Sequence, residues 1–253
     1  VSLPGPRRRK DADLSELAAR DTNEALRNAK AAGFWRRYLA YSLDWLLLAP
    51  PLTLLVLPSL RVAWDEARAL VAVLQDWMLG QMVAGATAFP SPLSLLPVLL
   101  HDAPLLAKVD AAMTRMNFAF GQALLLGGGV AAIYFIGFEA SAWQATPGKR
   151  AVDIAVVDMS GRRLGWARAA GRFFAGALSW MTLNLGHALA GWRSDGRALH
   201  DLLAGTRVVA RSPMPRWARW LLYAQLAALL AAFAGIFLRV FWLLAQIAGA
   251  GGM

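Results

Sequence analysis

Two acids stand alone in apolar surroundings. Asp44 is the one charged residue of Tyr38–Leu60, and Glu139 is the one charged residue of Asn117–Trp143. A carboxylate in hydrocarbon costs at least ~2.5 kcal/mol, so both must face inward and find partners. Such a group can bind a cation or exchange a proton, because burial raises its pKa while a neighbouring guanidinium lowers it. Arg37 stands seven positions before Asp44, on nearly the same helical stripe and about 10 Å away along the axis. Glu139 stands four positions before Trp143, about 6 Å from the end of its run. Arg172, and His200 and Asp201 within "ALHDLLAGT", complete the set. Two readings are open. Asp44 and Glu139 could form an ion or proton site, with Arg37, Arg172, His200 and Asp201 as partners that set its pKa. The same residues could instead form an ion-pair network that only locks a helix bundle.

Other chemistries find little support. Gly127–Gly129 is not followed by GK[ST] and lies in an apolar run, so it reads as close helix packing through small residues rather than a phosphate loop. Neither H-E-x-x-H nor G-x-S-x-G occurs. The chain has no cysteine, and its three histidines, His101, His187 and His200, are scattered. No catalytic residue, cofactor or metal site is expected, and the chain reads as a non-enzyme. The net charge of +10 could suggest nucleic acid, but basic residues flanking apolar segments are topology signals and lipid-headgroup contacts. The expected partner is a lipid bilayer, not nucleic acid.

The elements that must position these residues follow from hydropathy. The apolar fraction is 58% and the mean hydropathy +0.44, above the roughly half-apolar mix of soluble proteins. A hydrocarbon core of about 30 Å needs roughly 20 apolar residues as a helix. Three segments qualify: Tyr38–Leu60, kinked at Pro50 and Pro51; Asn117–Trp143; and Trp217–Leu238, prolonged past Arg239 to Ala248. A fourth, Phe173–Ala190, is short and holds Asn184, Gly186 and His187.

Charge sets the expected topology. Lys and Arg number nine in 1–37, six in 144–172 and six in 191–219, against four in 61–116, which also carries five acids. By the positive-inside rule, 61–116 is translocated and the other three segments are cytoplasmic. Full crossing by 173–190 would place six arginines outside, so a re-entrant or interfacial hairpin turning near Asn184-Leu185-Gly186 is preferred. Val152–Val157 and Thr206–Ala210 read as short strands, and pairing them requires both on one side. Leu14–Ala32 reads as an amphipathic surface helix. Val62–Met82 and Leu105–Met116 read as amphipathic pieces of an outer cap, with a Pro/Ser-rich turn at Phe89–Pro97. No short apolar core with a small-residue cleavage site opens the chain, so no cleaved signal peptide is expected.

Three blocks resemble the RDD family of bacterial membrane proteins. In "GFWRRYLAYSLDWLLL", Arg37 and Asp44 fit the family's arginine and first-helix aspartate. In "FEASAWQATPGKRAVDIAVVDMSGRRL", Glu139, Thr146, Gly148, Lys149, Asp158 and Gly161 fit a glutamate, a T-x-G-K and a D-x-x-G turn. In "GRFFAGALSW" and "RALHDLLAGTRVV", Arg172, His200, Asp201, Gly205 and Thr206 fit the late arginine and the His-Asp…Gly-Thr ending. Asp153 departs from the pattern, standing where a small residue, commonly glycine, is expected. The connection 61–116 is longer than usual for the family, and the last span lies beyond the family core.

The resemblance implies a multi-pass protein of the bacterial cytoplasmic (inner) membrane with a cytoplasmic N-terminus. Transport coupling a monovalent cation to protons has been suggested for such proteins. The alternative is a non-catalytic membrane scaffold or assembly subunit. The expected architecture is an all-α polytopic membrane protein of three spanning helices, a re-entrant or interfacial helical hairpin and a short cytoplasmic β pair. Its parts are an N-terminal segment 1–33, a membrane domain 34–211 and a C-terminal helix 212–253. With three spans, a pathway would need a homo-oligomer or a place in a membrane complex.

Overall fold

The computed structural model describes residues 20–84, 92–182 and 184–250. Its elements run α1 (Phe34–Ala84), α2 (Pro92–His101), α3 (Ala103–Ala140), α4 (Pro147–Ala151), β1 (Ile154–Asp158), α5 (Trp166–Met181), α6 (Leu185–Trp192), α7 (Leu199–Ala204), β2 (Thr206–Ala210) and α8 (Arg216–Ala250). Residues 20–28 are also helical. The chain is mostly helical, and α1, α3 and α8 are long and apolar enough to cross a membrane.

Two helices outrun the hydropathy boundaries. α1 has 51 residues and continues well past Leu60, with Pro50, Pro51 and Pro58 inside it. A proline removes one amide donor and strains the preceding turn, but an apolar sequence offers the backbone no competing partner and the helix carries on. α3 begins at Ala103, fourteen residues before the expected span. The amphipathic pieces expected as a separate cap are therefore extensions of the two helices. Residues 92–97, expected within a turn, belong to α2; positions 89–91 lie outside the described residues.

The chain divides into two compact units, one of Val1–Trp45 with Tyr134–Met253 and one of Leu46–Ile133. In the second unit, α1 and α3 meet along a seam of small and aliphatic side chains. Leu105, Ala112 and Ala119 recur every seven residues and are buried with Leu52, Ser59 and Ala63. Polar pairs pin its length: Ser59 with Gln122, Trp77 with Asp102, and a two-pronged Arg115–Glu66 pair. Asp102 also caps α3, accepting from Leu105 N at 2.9 Å. Gly127 meets Val56 only at ordinary contact distance and Gly128 and Gly129 face open space, so the glycine triplet does not make the expected close packing within the unit.

The first unit is organised by the sheet. The two expected strands pair antiparallel, from Ile154↔Ala210 to Asp158↔Thr206. All five β1 residues are buried, as a short continuous apolar run implies for a strand covered on both faces. Ile154 and Val156 pack with Leu39, Ala140, Leu164 and Leu222, whereas Ala155 and Val157 pack with Leu26 and Val209. Both strand edges are closed. Lys30–Ala32 line the outer edge of β2, with a bridge Ala31↔Val209 and Ala32 N donating to Val208 O at 2.9 Å. On the other side, Val156 N donates to Gln144 O at 2.7 Å. The amphipathic helix expected to reach Ala32 thus ends at 28, because residues 30–32 are needed as an edge strand; its part before residue 20 lies outside the described residues.

Asp153, the departure noted above, has φ 55° just before β1. A side chain there carries a left-handed penalty of about 1 kcal/mol or somewhat more, which glycine does not. Asp153→Gly is therefore expected to raise stability by about 0.5–1 kcal/mol, read as a higher melting temperature in detergent.

α5 and α6 form a helical hairpin. Asn184, at φ 65°, turns the chain, and its N–H donates to Ser179 O at 2.7 Å.

Candidate functional site

The polar site lies wholly in the first unit. Asp44, three turns into α1, is completely buried. Its Oδ1 accepts from Tyr134 Oη and from Gly148 N, both at 2.7 Å. Its Oδ2 accepts from Thr146 Oγ1 at 2.5 Å. The T-P-G-K stretch gains its meaning here. Thr146 caps α4, accepting from Lys149 N, and proline follows at the first helical position, where a missing N–H costs nothing. Gly148 would otherwise present an orphan helix-terminal N–H, and Asp44 takes it. A Cβ at Gly148 would collide with Ala40 O and sit 2.8 Å from the Asp44 carboxylate. Only glycine lets α4 come this close to α1.

Lys149 turns the other way and holds Glu139 in an ion pair, its ammonium 5.7 Å from the Phe135 ring centre. Glu139 also accepts from Arg172 Nη1 at 3.2 and 3.1 Å. The other arm of Arg172 reaches Asp201 Oδ1 at 3.0 Å and His200 Nε2 at 3.1 Å. Asp201 is fully buried. It takes Arg37 Nη1 at 2.5 Å, Ala198 N at 3.0 Å and Thr206 Oγ1 at 3.5 Å. Arg37 finishes on two carbonyls, Ala32 O at 2.9 Å and Gly196 O at 2.6 Å.

Burial pushes the Asp201 carboxyl up, and the guanidiniums of Arg172 and Arg37 more than reverse this, holding it well below the usual carboxylate range. Burial, and then the Arg172 charge, push His200 well below its ordinary value. The ring is therefore neutral, and its Nε2 accepts from Arg172, which can only donate.

The sequence sets Arg37 on nearly the same helical stripe as Asp44, and the structure gives it a different acid. Arg37 pairs with Asp201 and Arg172 with Glu139 and Asp201. Among the described residues Asp44 has no ion-pair partner and takes neutral donors only. The remaining motif residues build the frame. Asp158 Oδ1 accepts from Ser160 N and Arg162 N, both at 2.9 Å. Gly161, at φ 82°, lets that turn pass against the backbone of Asn23 and Arg27. Gly205 closes α7 in the left-handed conformation and delivers Thr206 into β2.

Two contributors escaped the sequence reading. Arg36 is buried and donates to Val152 O and Ser212 O at 2.7 Å each and to Asp153 O at 3.2 Å, tying α1 to the start of β1 and the end of β2. Its neighbour Arg37, not Arg36, occupies the arginine position of the family motif. Tyr134 is hidden in an aromatic run. Nearby, the His187 and His200 rings stand 4.9 Å apart. Both Nδ1 atoms and Ser179 Oγ are buried without a hydrogen-bond partner among the described residues.

Three cations (Arg37, Lys149, Arg172) thus face two acids, Glu139 and Asp201, while the third acid, Asp44, is held by neutral donors. The described residues contain no group of three or more His, Cys, Asp or Glu side chains able to hold a metal. Each carboxylate is met by several donors, which makes the network a fastener of α1, α3, α4, α5 and α7.

The profile of the RDD family matches residues 31–205. An uncharacterised Bacillus subtilis (strain 168) protein, YxaI, is 26% identical over 182 residues, covering 71% of this chain and 97% of that protein. No solved structure matches.

Proposed function

The chain belongs to the RDD family, and on that premise we propose that it is a non-catalytic integral membrane scaffold or assembly subunit of the bacterial inner membrane. The observation that carries this reading is the saturation of the buried carboxylates. A cation entering at Asp44 would have to displace Tyr134, Thr146 or the Gly148 amide, each at 2.5–2.7 Å. Each of these donors also fixes an element of the fold.

The membrane setting is supported by tryptophan. Trp35, Trp143, Trp166, Trp192, Trp217 and Trp220 are all exposed. They stand where α1, α5 and α8 begin and where α3 and α6 end, the positions at which the chain enters or leaves the sheet region. Arg150 lies 4.1 Å over the Trp143 ring. Such a belt marks the headgroup level. With the basic segments around it, this end of the unit is read as cytoplasmic, and the N-terminus with it. The α5–α6 hairpin starts at Trp166 and returns to Trp192, which favours re-entry from that same side. In α8, Arg219 and Arg239 are twenty residues apart, about 30 Å and the thickness of a hydrocarbon core.

One observation favours a second reading, transport of a monovalent cation against protons, by a homo-oligomer. Asp44 alone of the three acids lacks a cation, and unpartnered polar atoms of His187, His200 and Ser179 lie buried in the same unit. Proteoliposomes under a pH gradient, with sodium or potassium, separate the two. The scaffold reading expects flux no greater than in empty liposomes. Flux that Asp44→Asn abolishes in a folded protein overturns it in favour of transport.

A further inference from the structure

Most arginines of the first unit are committed. Arg162 and Arg168 share Asp158, Arg193 holds Asp195, and Arg36 and Arg197 donate to backbone carbonyls. Arg216 and Arg219 differ: among the described residues their side chains have neither carboxylate nor carbonyl partner. They open α8 and, with Trp220 and Tyr223, line a groove of about 420 Å³. The spacing is i, i+3, i+4 and i+7, one stripe of the helix. Two uncompensated guanidiniums beside two amphipathic rings suit a phosphate diester at a membrane surface.

The same stripe continues in apolar form. Tyr223, Leu230 and Phe237 recur every seven residues, with Phe233 between them, and all are exposed. The most apolar stretch of α8 has none of its residues buried. From Arg219 to Leu230 the helix rises about 17 Å, close to half of a ~30 Å hydrocarbon core and so to the depth that one leaflet's acyl chain fills. A free phosphate would use the arginines and leave this strip uncovered, whereas a phospholipid uses both.

We propose that the Arg216–Arg219–Trp220–Tyr223 groove is a binding site for an anionic phospholipid, its phosphate on the two arginines and an acyl chain along Tyr223 and Leu230. The inference rests on the membrane reading above.

The test uses the full chain in nanodiscs of mixed phosphatidylglycerol and phosphatidylcholine, with retained lipid counted by native mass spectrometry. Wild type should retain phosphatidylglycerol over phosphatidylcholine by about tenfold to thirtyfold. Arg216→Gln/Arg219→Gln should bring the ratio close to one, while the charge-keeping Arg216→Lys/Arg219→Lys pair and the remote Arg163→Gln should keep the preference. Equal retention of the two lipids by wild type, or an unchanged preference in the double glutamine variant, overturns the site. Displacement of the lipid by excess inorganic phosphate overturns the lipid as occupant and leaves an anion site. Failure of wild type to enter the nanodiscs sinks the membrane reading itself, a different result from entry without preference.

Discussion

Arg172→Met is expected to destabilise the protein by about 3–5 kcal/mol, enough to abolish recovery of folded material in mild detergent. The magnitude follows from what the substitution leaves behind. Arg172 is 6% exposed, and one guanidinium serves both oxygens of Glu139, Asp201 Oδ1 and His200 Nε2. Its loss strands carboxylate charge in a region with little water to solvate it. Arg172→Lys should recover only part of the loss, because a single ammonium cannot span both acids as the planar fork does. Thermal unfolding of the three proteins in one detergent checks the order wild type, lysine, methionine. A methionine variant as stable as wild type would mean that the network does not hold the hairpin to the bundle.

The pH dependence carries a sign. Asp201 is held below its ordinary value by Arg172 and Arg37. A depressed carboxyl contributes stability that is present above its unfolded value and lost as pH falls towards the folded one. Wild-type stability should therefore decline below about pH 4. In any Arg172 variant that folds, the decline assignable to Asp201 should be smaller, since part of the downward shift is gone.

How far the sequence could be read depends on which interaction carried each feature. The lone acids were visible because a charge in an apolar run is costly enough to demand an explanation. The strands were visible because β-branched residues cluster there and two short strands have only each other. The partner of Asp44 was not visible. Arg37 shares a helical stripe with it, but about 10 Å of rise lies between them, and Arg37 instead meets Asp201, 164 positions away in the chain. Periodicity ranks faces of one helix; it does not rank partners on another. The helix ends past Leu60 and before Asn117 were missed for a related reason. Hydropathy reports the preferred solvent of a segment, whereas helix continuation depends on the backbone, which is indifferent to that boundary. Arg36 reads as one more interfacial charge until its three carbonyl acceptors are seen.

Gly148→Ala and Asp44→Ala should each cost several kcal/mol, and Asp44→Asn should cost little. At Gly148 the added methyl meets the backbone oxygen of Ala40 and stands 2.8 Å from Asp44. A helix backbone cannot rotate aside as a side chain can, so α4 must retreat. Overpacking alone costs about 1–3 kcal/mol, and the retreat also breaks the Gly148 and Thr146 bonds to Asp44. Asp44→Ala leaves three donors without an acceptor, two of them buried (Thr146 Oγ1 and Gly148 N) and one half-buried (Tyr134 Oη), at about 1–3 kcal/mol for each buried one that finds no other partner. Asparagine keeps the oxygen that receives Tyr134 and Gly148, and its amide can donate to the Thr146 hydroxyl, which accepts as readily as it gives. Melting temperatures of the three variants then divide into two alike and one near wild type if Asp44 works as a hydrogen-bond acceptor that seats α4. If asparagine is as damaging as alanine, the negative charge itself is required. A cation or proton at Asp44 then becomes the better account of why an acid stands in that apolar run.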